Sequence, residues 1–337
     1  MRAWQITAFG IDSIELRTRA DVEPEPGQVK IGVRSVSFNY RDLMMVKGVY
    51  NPKLKLPRIP CSDGAGEVVA VGAGVTSWRP GDRVAGIFMQ NWIDGTPTPA
   101  KTKGALGGDI DGMLADSVVL HEAGLVAIPA HLSYEEAATL PCAAVTAWNA
   151  LAAANLKAGA TVLIQGTGGV SIFALQFARL MGMRVLGVSS SDEKLERARA
   201  LGLHAGLNYR ETPEWDRWVL DQTGGEGVDL VVEVGGVGTL PRSLRAVKMG
   251  GTIAQIGVLS GPTGTGEQLP LPLILHKQAH IRGIYVGSRS NFEEMNVCLT
   301  LAGLRPVVES SSWTNVPEMF RRMESGAHFG KLAVTID

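Results

Sequence analysis

Between Thr161 and Ser171 the chain reads TVLIQGTGGVS, a short apolar run that ends in a glycine turn. Residues of these types at this spacing let a main chain approach an anion. Gly166 permits a tight turn, Gly168 brings the backbone close to a bound group, and the small Ser171 lets a following helix pack on the preceding strand. Thr167 completes the turn, and the unpaired N–H groups at Gly169 and Val170 would face the pyrophosphate of a dinucleotide. Glycine loops also serve simply as turns, so the surrounding elements decide what this one does.

Those elements alternate. VLIQG is followed by a helical pattern from Phe173 to Met181, RVLGVSS, a helix over 192–201, HAGLNY, a helix around 213–223, and VDLVVEV. A helix around 239–247, TIAQIGV, a helix near 271–277 and IRGIYVG complete the series. This order makes right-handed βαβ crossovers and a doubly wound, six-stranded parallel sheet with helices on both faces, a Rossmann domain. Upstream, QVKIGVRSVSF, GAGEVVAVG and RPGDRVAGI are short β-type runs broken by turn residues, which predict a β-rich domain. Residues 90–112, rich in Gly, Pro and Thr, read as a surface excursion, while Ser133 and Glu136 fit a capping box. From about Ser288 a helix, Pro-bounded loops and the strand KLAVTI return to the first domain. The expectation is an α/β protein with a catalytic domain over 1–124, a dinucleotide domain over 125–287 and a return over 288–337.

The 337 residues carry a formal charge of −1 with both signs mixed, which excludes a phosphate-backbone footprint and hence nucleic acid as partner. Three scattered cysteines point to a reducing compartment rather than a disulfide framework. The start, MRAWQITAFG, lacks the pattern of a secretory signal. The most apolar stretch, 137–158, is interrupted by Pro141, Thr146, Asn149 and Asn155, which argues against a membrane span. A cytoplasmic enzyme acting on a small molecule, without membrane or nucleic-acid partners, is expected.

The second Rossmann strand ends in Ser189, Ser190 and Ser191, where an NAD-selective site would carry a carboxylate for the ribose hydroxyls. Hydroxyls do not repel a 2′-phosphate, and Lys194 and Arg210 stand where each supplies positive charge. NADP(H) is expected ahead of NAD(H). The bland alternative is that Ser190 and Ser191 only cap a helix and the two cations are solvated.

Taken together, SFNYRDLMMVKGVY, PCSDGAGEVVAVGAGVTSWRPGDRV, LPCAAVTAWNAL, VLIQGTGGVSIFALQFARLMG, NYRE and GKLAVTID resemble the medium-chain dehydrogenase/reductase superfamily and, within it, the zinc-free quinone oxidoreductase branch. The resemblance implies a GroES-like catalytic domain built from both chain ends, with the Rossmann domain inserted and the ligands in the cleft between them. It implies cofactor contacts from Thr146 beside the nicotinamide, from Gly166, Thr167, Gly168, Gly169 and Val170, and from Ser189, Ser190, Lys194, Tyr209 and Arg210. Gly235, Gly257 and Val258 end the fourth and fifth strands, Tyr285, Val286 and Gly287 close the sixth, and Lys331 matches a terminal basic position near the cofactor; its plain alternative is a surface lysine on an edge strand. A homodimer paired through IRGIYVG is also implied.

Zinc-dependent relatives hold a catalytic metal through Cys, His and Cys. The corresponding positions here are Asn39, Ser62 and Cys142, with Asp63 in place of a Glu, and residues 90–112 lack the thiolates of a structural zinc lobe. His121, His131, His204, His276, His280 and His328 are scattered without ligand spacing, so no metal is expected. Without a Lewis acid, hydride passes most readily to an acceptor that is already polarised, a quinone or the β-carbon of an enone or enoyl thioester. Asn39, Tyr40 and Tyr50 are the candidate donors to the developing oxygen, Asp42 braces their loop, and Cys142 reads as a packed small residue. A zinc-free alcohol or carbonyl dehydrogenase and a non-enzymatic NADPH-binding protein are the alternatives.

Overall fold

A computed structural model describes residues 1–257 and 268–336. Its strands, in chain order, are β1 (Arg2–Ile6), β2 (Ile14–Thr18), β3 (Gln28–Phe38), β4 (Asp63–Val71), β5 (Arg83–Gly86), β6 (Ser117–His121) and β7 (Leu125–Ala127). They continue as β8 (Thr161–Gln165), β9 (Arg184–Ser189), β10 (Ala205–Asn208), β11 (Val228–Glu233), β12 (Val247–Gln255), β13 (His280–Gly283), β14 (Val308–Ser312) and β15 (Lys331–Thr335). The chain forms two compact units, Met1–Val145 with Val286–Asp337, and Thr146–Tyr285.

In the first unit a mixed sheet runs β14-β15-β3-β4-β5-β7, with β6 also paired to β3. β3 buries Val29, Ile31, Val33, Val36 and Phe38, and the Phe38 ring meets Phe320 edge-on at 4.9 Å between centroids. β15 lies antiparallel to β3 with Leu332 opposite Phe38, so the last strand sits beside the start of the helix Tyr40–Val46. Residues 125–145, grouped by the sequence with the dinucleotide domain, pack here instead. The physical cause is hydrogen bonding: β7 pairs Val84 with Ala127 and Ala85 with Val126. The expected capping box is present, since Ser133 accepts from the Glu136 N–H and starts the helix Tyr134–Ala138, which a π-helical turn, Leu140–Ala144, joins to the helix Val145–Ala154.

The second unit is the expected parallel sheet, ordered β10-β9-β8-β11-β12-β13. β8 and β11 are almost wholly buried, as strands covered on both faces must be. The helix Gly169–Leu180 buries Ile172, Phe173, Leu175 and Phe177, and Ser191 caps the helix Asp192–Ala200. Strand order reverses between β8 and β11, and ligands of such sheets bind beyond the carboxyl ends of the strands at that point. The sixth strand stops at Gly283, so Tyr285, Val286 and Gly287 follow it rather than lie in it; Val286 is buried with φ +55°, a left-handed conformation rare for a β-branched residue.

Candidate active site

At the end of β8, Gly166 has φ +68°, and a Cβ there would meet nothing within 4 Å, leaving open space over the turn. Gly168 occupies the N-cap of the helix Gly169–Leu180, and no side chain caps it. The first N–H groups of that helix therefore lack intrahelical partners, an arrangement suited to an anion. Ser171 is buried and its hydroxyl donates to the Gln165 carbonyl at 2.6 Å, tying helix to strand. Thr167 and Thr146 are both buried, Thr146 in the first turn of its helix.

The structure brings the ribose-end residues together at the carboxyl ends of β9 and β10. The Tyr209 N–H donates to the Ser189 carbonyl at 2.9 Å, Ser189 is buried, Ser190 and Lys194 are half-buried, and Tyr209 and Arg210 are exposed. Ser191 is the N-cap and accepts from the Lys194 N–H. Two carboxylates stand nearby: Asn208 Nδ2 donates to Asp192 Oδ2 at 3.2 Å and to Glu211 Oε1 at 3.5 Å.

Across the switch point the sequence missed a buried acid. Glu233 ends β11 with no exposure, and one of its oxygens accepts from the Gly235 and Gly236 N–H groups at 2.9 Å and from Thr239 Oγ1. The other accepts from Gln165 Nε2 at 2.8 Å and from the Ser243 hydroxyl. The network fixes the turn at Gly235 to the end of β8. A lone Glu at the end of VDLVVEV was the available signal. Gly257 is locked by close approach, since a Cβ there would lie 1.8 Å from the Val234 carbonyl oxygen. Val258 lies outside the described residues. A polar cavity of about 650 Å³ lined by Lys157, Arg184, Asp229 and Lys248 opens at the opposite, amino end of these strands and is not this site.

The first unit contains a second buried polar cluster. Asn39 is the N-cap of the helix Tyr40–Val46, its N–H donating to Asp42 Oδ2 at 2.9 Å in a capping box. Asn39 Nδ2 donates to Ser62 Oγ at 3.3 Å, Ser62 donates to Asp63 Oδ1 at 2.6 Å, and the Cys142 N–H donates to Asp63 Oδ2 at 3.2 Å. The positions matched to metal ligands in relatives are thus neighbours here. Lys331 joins them: its Nζ donates at 2.6 Å to both the Phe38 carbonyl and Asn39 Oδ1, and lies 3.8 Å from Asp63 Oδ2. Lys331 is 3% exposed on a strand flanked by β14 and β3, so the alternative of a solvated lysine on an edge strand does not hold.

Burial raises the pKa of Asp42 to about 6, against the pull of the Arg41 guanidinium 3.6 Å away and aided by the charge of Asp63. Burial likewise raises Asp63, opposed by Lys331. Burial, reinforced by Asp63, pushes the Cys142 thiol far up, so it is neither thiolate nor nucleophile at neutral pH. Tyr40 and Tyr50 stand at the rim, 40% and 44% exposed, with the Arg41 guanidinium 5.8 Å from the Tyr50 ring centroid and 4.8 Å from that of Phe88. Among the described residues no three His, Cys, Asp or Glu side chains gather as a metal-binding group.

Residues 25–130 match the alcohol dehydrogenase GroES-like domain, and residues 169–300 match the zinc-binding dehydrogenase family. A zinc-type alcohol dehydrogenase-like protein of Schizosaccharomyces pombe is 45% identical over 318 residues, covering 93% of this chain and 92% of its own. Acryloyl-coenzyme A reductase of Metallosphaera sedula is 34% identical, with 87% of each chain covered. A solved NAD-dependent alcohol dehydrogenase superposes with a TM-score of 0.91 at 32% identity over the full length of both chains. Other matching chains carry quinone oxidoreductase names. A β-rich unit joined to a Rossmann sheet with a glycine turn defines a nicotinamide-dinucleotide oxidoreductase. The chain belongs to the medium-chain dehydrogenase/reductase superfamily and is an NAD(P)H-dependent oxidoreductase. No described helix is long and apolar enough to cross a membrane.

Proposed function

We propose that this chain is a zinc-independent, NADPH-dependent reductase of quinones or of alkenes conjugated to a carbonyl. The observation that carries the reading is the Lys331 ammonium hydrogen-bonded to Asn39 Oδ1 beside Asp63. The groups around it are an amide oxygen already accepting from that ammonium, a serine hydroxyl donating to Asp63, one carboxylate and one thiol, and a cluster that already holds an ammonium does not fit a divalent cation. Electrophilic help for a simple ketone or alcohol is then weak, and an acceptor that is polarised beforehand suits the site.

Bound NADPH supplies the hydride. Gly166, Thr167, Gly168, Gly169 and Val170 would cradle its pyrophosphate; Ser189, Ser190, Lys194, Tyr209 and Arg210 its ribose phosphate; Thr146, Gly235, Gly257, Tyr285, Val286 and Gly287 the remainder. The Ser189 and Ser190 hydroxyls, with Lys194 and Arg210 beside them in the chain, support NADPH over NADH. Asn39 Nδ2 meets the acceptor oxygen as charge develops there, and the exposed Tyr40 and Tyr50 hydroxyls return a proton. A homodimer through β13 is part of the proposal: the strand is the exposed edge of its sheet, next to a helix with Leu271 and Leu275 exposed.

The test is oxidation of NADPH and NADH with 1,4-naphthoquinone, 2-cyclohexenone and crotonyl-CoA, alongside an alcohol panel with NADP+. Turnover of the polarised acceptors with NADPH supports the reading. Alcohol oxidation alone moves the chain to the dehydrogenases, and tight NADPH binding without turnover makes it a binding protein.

A further inference from the structure

We propose that Lys331 is a positioning residue that holds the Asn39 carboxamide with its NH2 end toward the acceptor; this rests on the reading of Asn39 as the acceptor's donor. A carboxamide turned by half a rotation exchanges donor for acceptor, so its partners decide which it presents. An ammonium has no lone pair, and Lys331 Nζ lies 2.6 Å from one end of that group, so this end must be Oδ1. The other end, Nδ2, then faces Ser62 Oγ at 3.3 Å. Ser62 has its own proton committed to Asp63 Oδ1 at 2.6 Å, so it can only accept from Asn39. The chain of donors therefore runs one way, from Lys331 through Asn39 and Ser62 to Asp63.

Ser62 takes one of the two Nδ2 protons, and the Asp63 carboxylate also draws on the Asn39 side chain, so an acceptor oxygen has to compete with Asp63 for the second. Lys331 is 3% exposed and Ser62 and Asp63 are fully buried, whereas Asn39 is 8% exposed and is the member able to reach a ligand. A positive charge on Oδ1 also strengthens the amide as a donor, because hydrogen bonds in series polarise one another. The ammonium thus does through an amide what a Lewis acid does directly, held by the Phe38 carbonyl and Asn39 Oδ1.

The test compares Asn39→Ala, Lys331→Met and the double variant, using the most active acceptor of the panel. Because Lys331→Met leaves Asp63 buried without its partner and risks misfolding, the charge-balanced Lys331→Met/Asp63→Asn is made as well. Asn39→Ala is expected to lower kcat/KM about a hundredfold and Lys331→Met about tenfold. The NADPH Kd is expected to stay within about twofold, with the double variant no slower than Asn39→Ala, because a residue acting through another adds nothing once that one is gone. The charge-balanced variant is expected to match Lys331→Met. A normal Asn39→Ala enzyme overturns the reading of Asn39. A slow Asn39→Ala enzyme beside a normal Lys331→Met or charge-balanced enzyme overturns the positioning role alone, as does an additive double variant. A joint neutron and X-ray structure of the apoprotein needs no turnover: Oδ1 toward Lys331, with the amide reoriented in Lys331→Met, sustains the inference, and Nδ2 toward Lys331 sinks it.

Discussion

Asp42→Asn isolates one buried carboxyl at the heart of the candidate site. Asp42 has no exposure, its Oδ2 accepts the Asn39 N–H, and burial raises its pKa from 3.8 to about 6. A folded-state pKa above the unfolded one means that the folded protein binds the proton more tightly. The stability this lends is fully present below 3.8 and is lost as the pH rises through 6. The whole window is worth about 3 kcal/mol, of which about 1.4 kcal/mol falls between pH 7 and pH 5. Asparagine keeps an oxygen for the Asn39 N–H and does not titrate, and loss of the Asp42 charge can only lower the neighbouring Asp63 carboxyl, so the pH-dependent part of the gap keeps its sign. The gap in unfolding free energy between wild type and variant, measured by urea denaturation, should shift by about 1.4 kcal/mol in favour of wild type on going from pH 7 to pH 5. A gap that does not move with pH, or moves the other way, refutes the assignment of a raised pKa to Asp42.

Lys194→Ala should raise the Kd for NADPH about tenfold and leave that for NADH unchanged, as loss of one charge-assisted phosphate contact requires; equal effects on both cofactors, by fluorescence titration, would remove Lys194 from the phosphate site. Glu233→Ala should destabilise the Rossmann unit by about 3–5 kcal/mol, because donors from Gln165, Thr239, Ser243 and two backbone N–H groups lose a charged acceptor together. A loss under about 1 kcal/mol in thermal unfolding would mean that water replaces the carboxylate. Light scattering should return a dimer, and Ile281→Lys on the exposed β13 should shift it toward monomer; an unchanged mass places the association elsewhere.

The Rossmann half was legible because its signals are local. Apolar runs of strand length, glycine turns and caps such as Ser191 are read within a dozen residues; the helix expected over 192–201 spans 192–200, and the six strands come in the expected order, the sixth stopping short at Gly283. Assignments that depended on distant partners fared differently. Residues 125–145 look like the lead-in to a Rossmann strand until β7 finds β5, some forty residues back. The partners of Lys331 lie 292 and 293 residues away and meet it only because β15 pairs with β3, a register that no local pattern states. Glu233 carries no periodic signal as a single acid in an apolar strand, and although four of its five donors lie within ten residues of it, the fifth, Gln165, comes from β8. Asn39 stands out by its place in SFNYRD, but which end of its amide meets Ser62 is set by Lys331.

The central claim is reduction by NADPH without a metal, and metal content measured against turnover tests it most directly. Enzyme dialysed against a strong chelator and assayed for zinc by mass spectrometry should reduce 2-cyclohexenone or 1,4-naphthoquinone with NADPH at the rate of untreated enzyme, with zinc far below one atom per chain. Activity that falls in step with zinc removal and returns when zinc is restored would contradict the account.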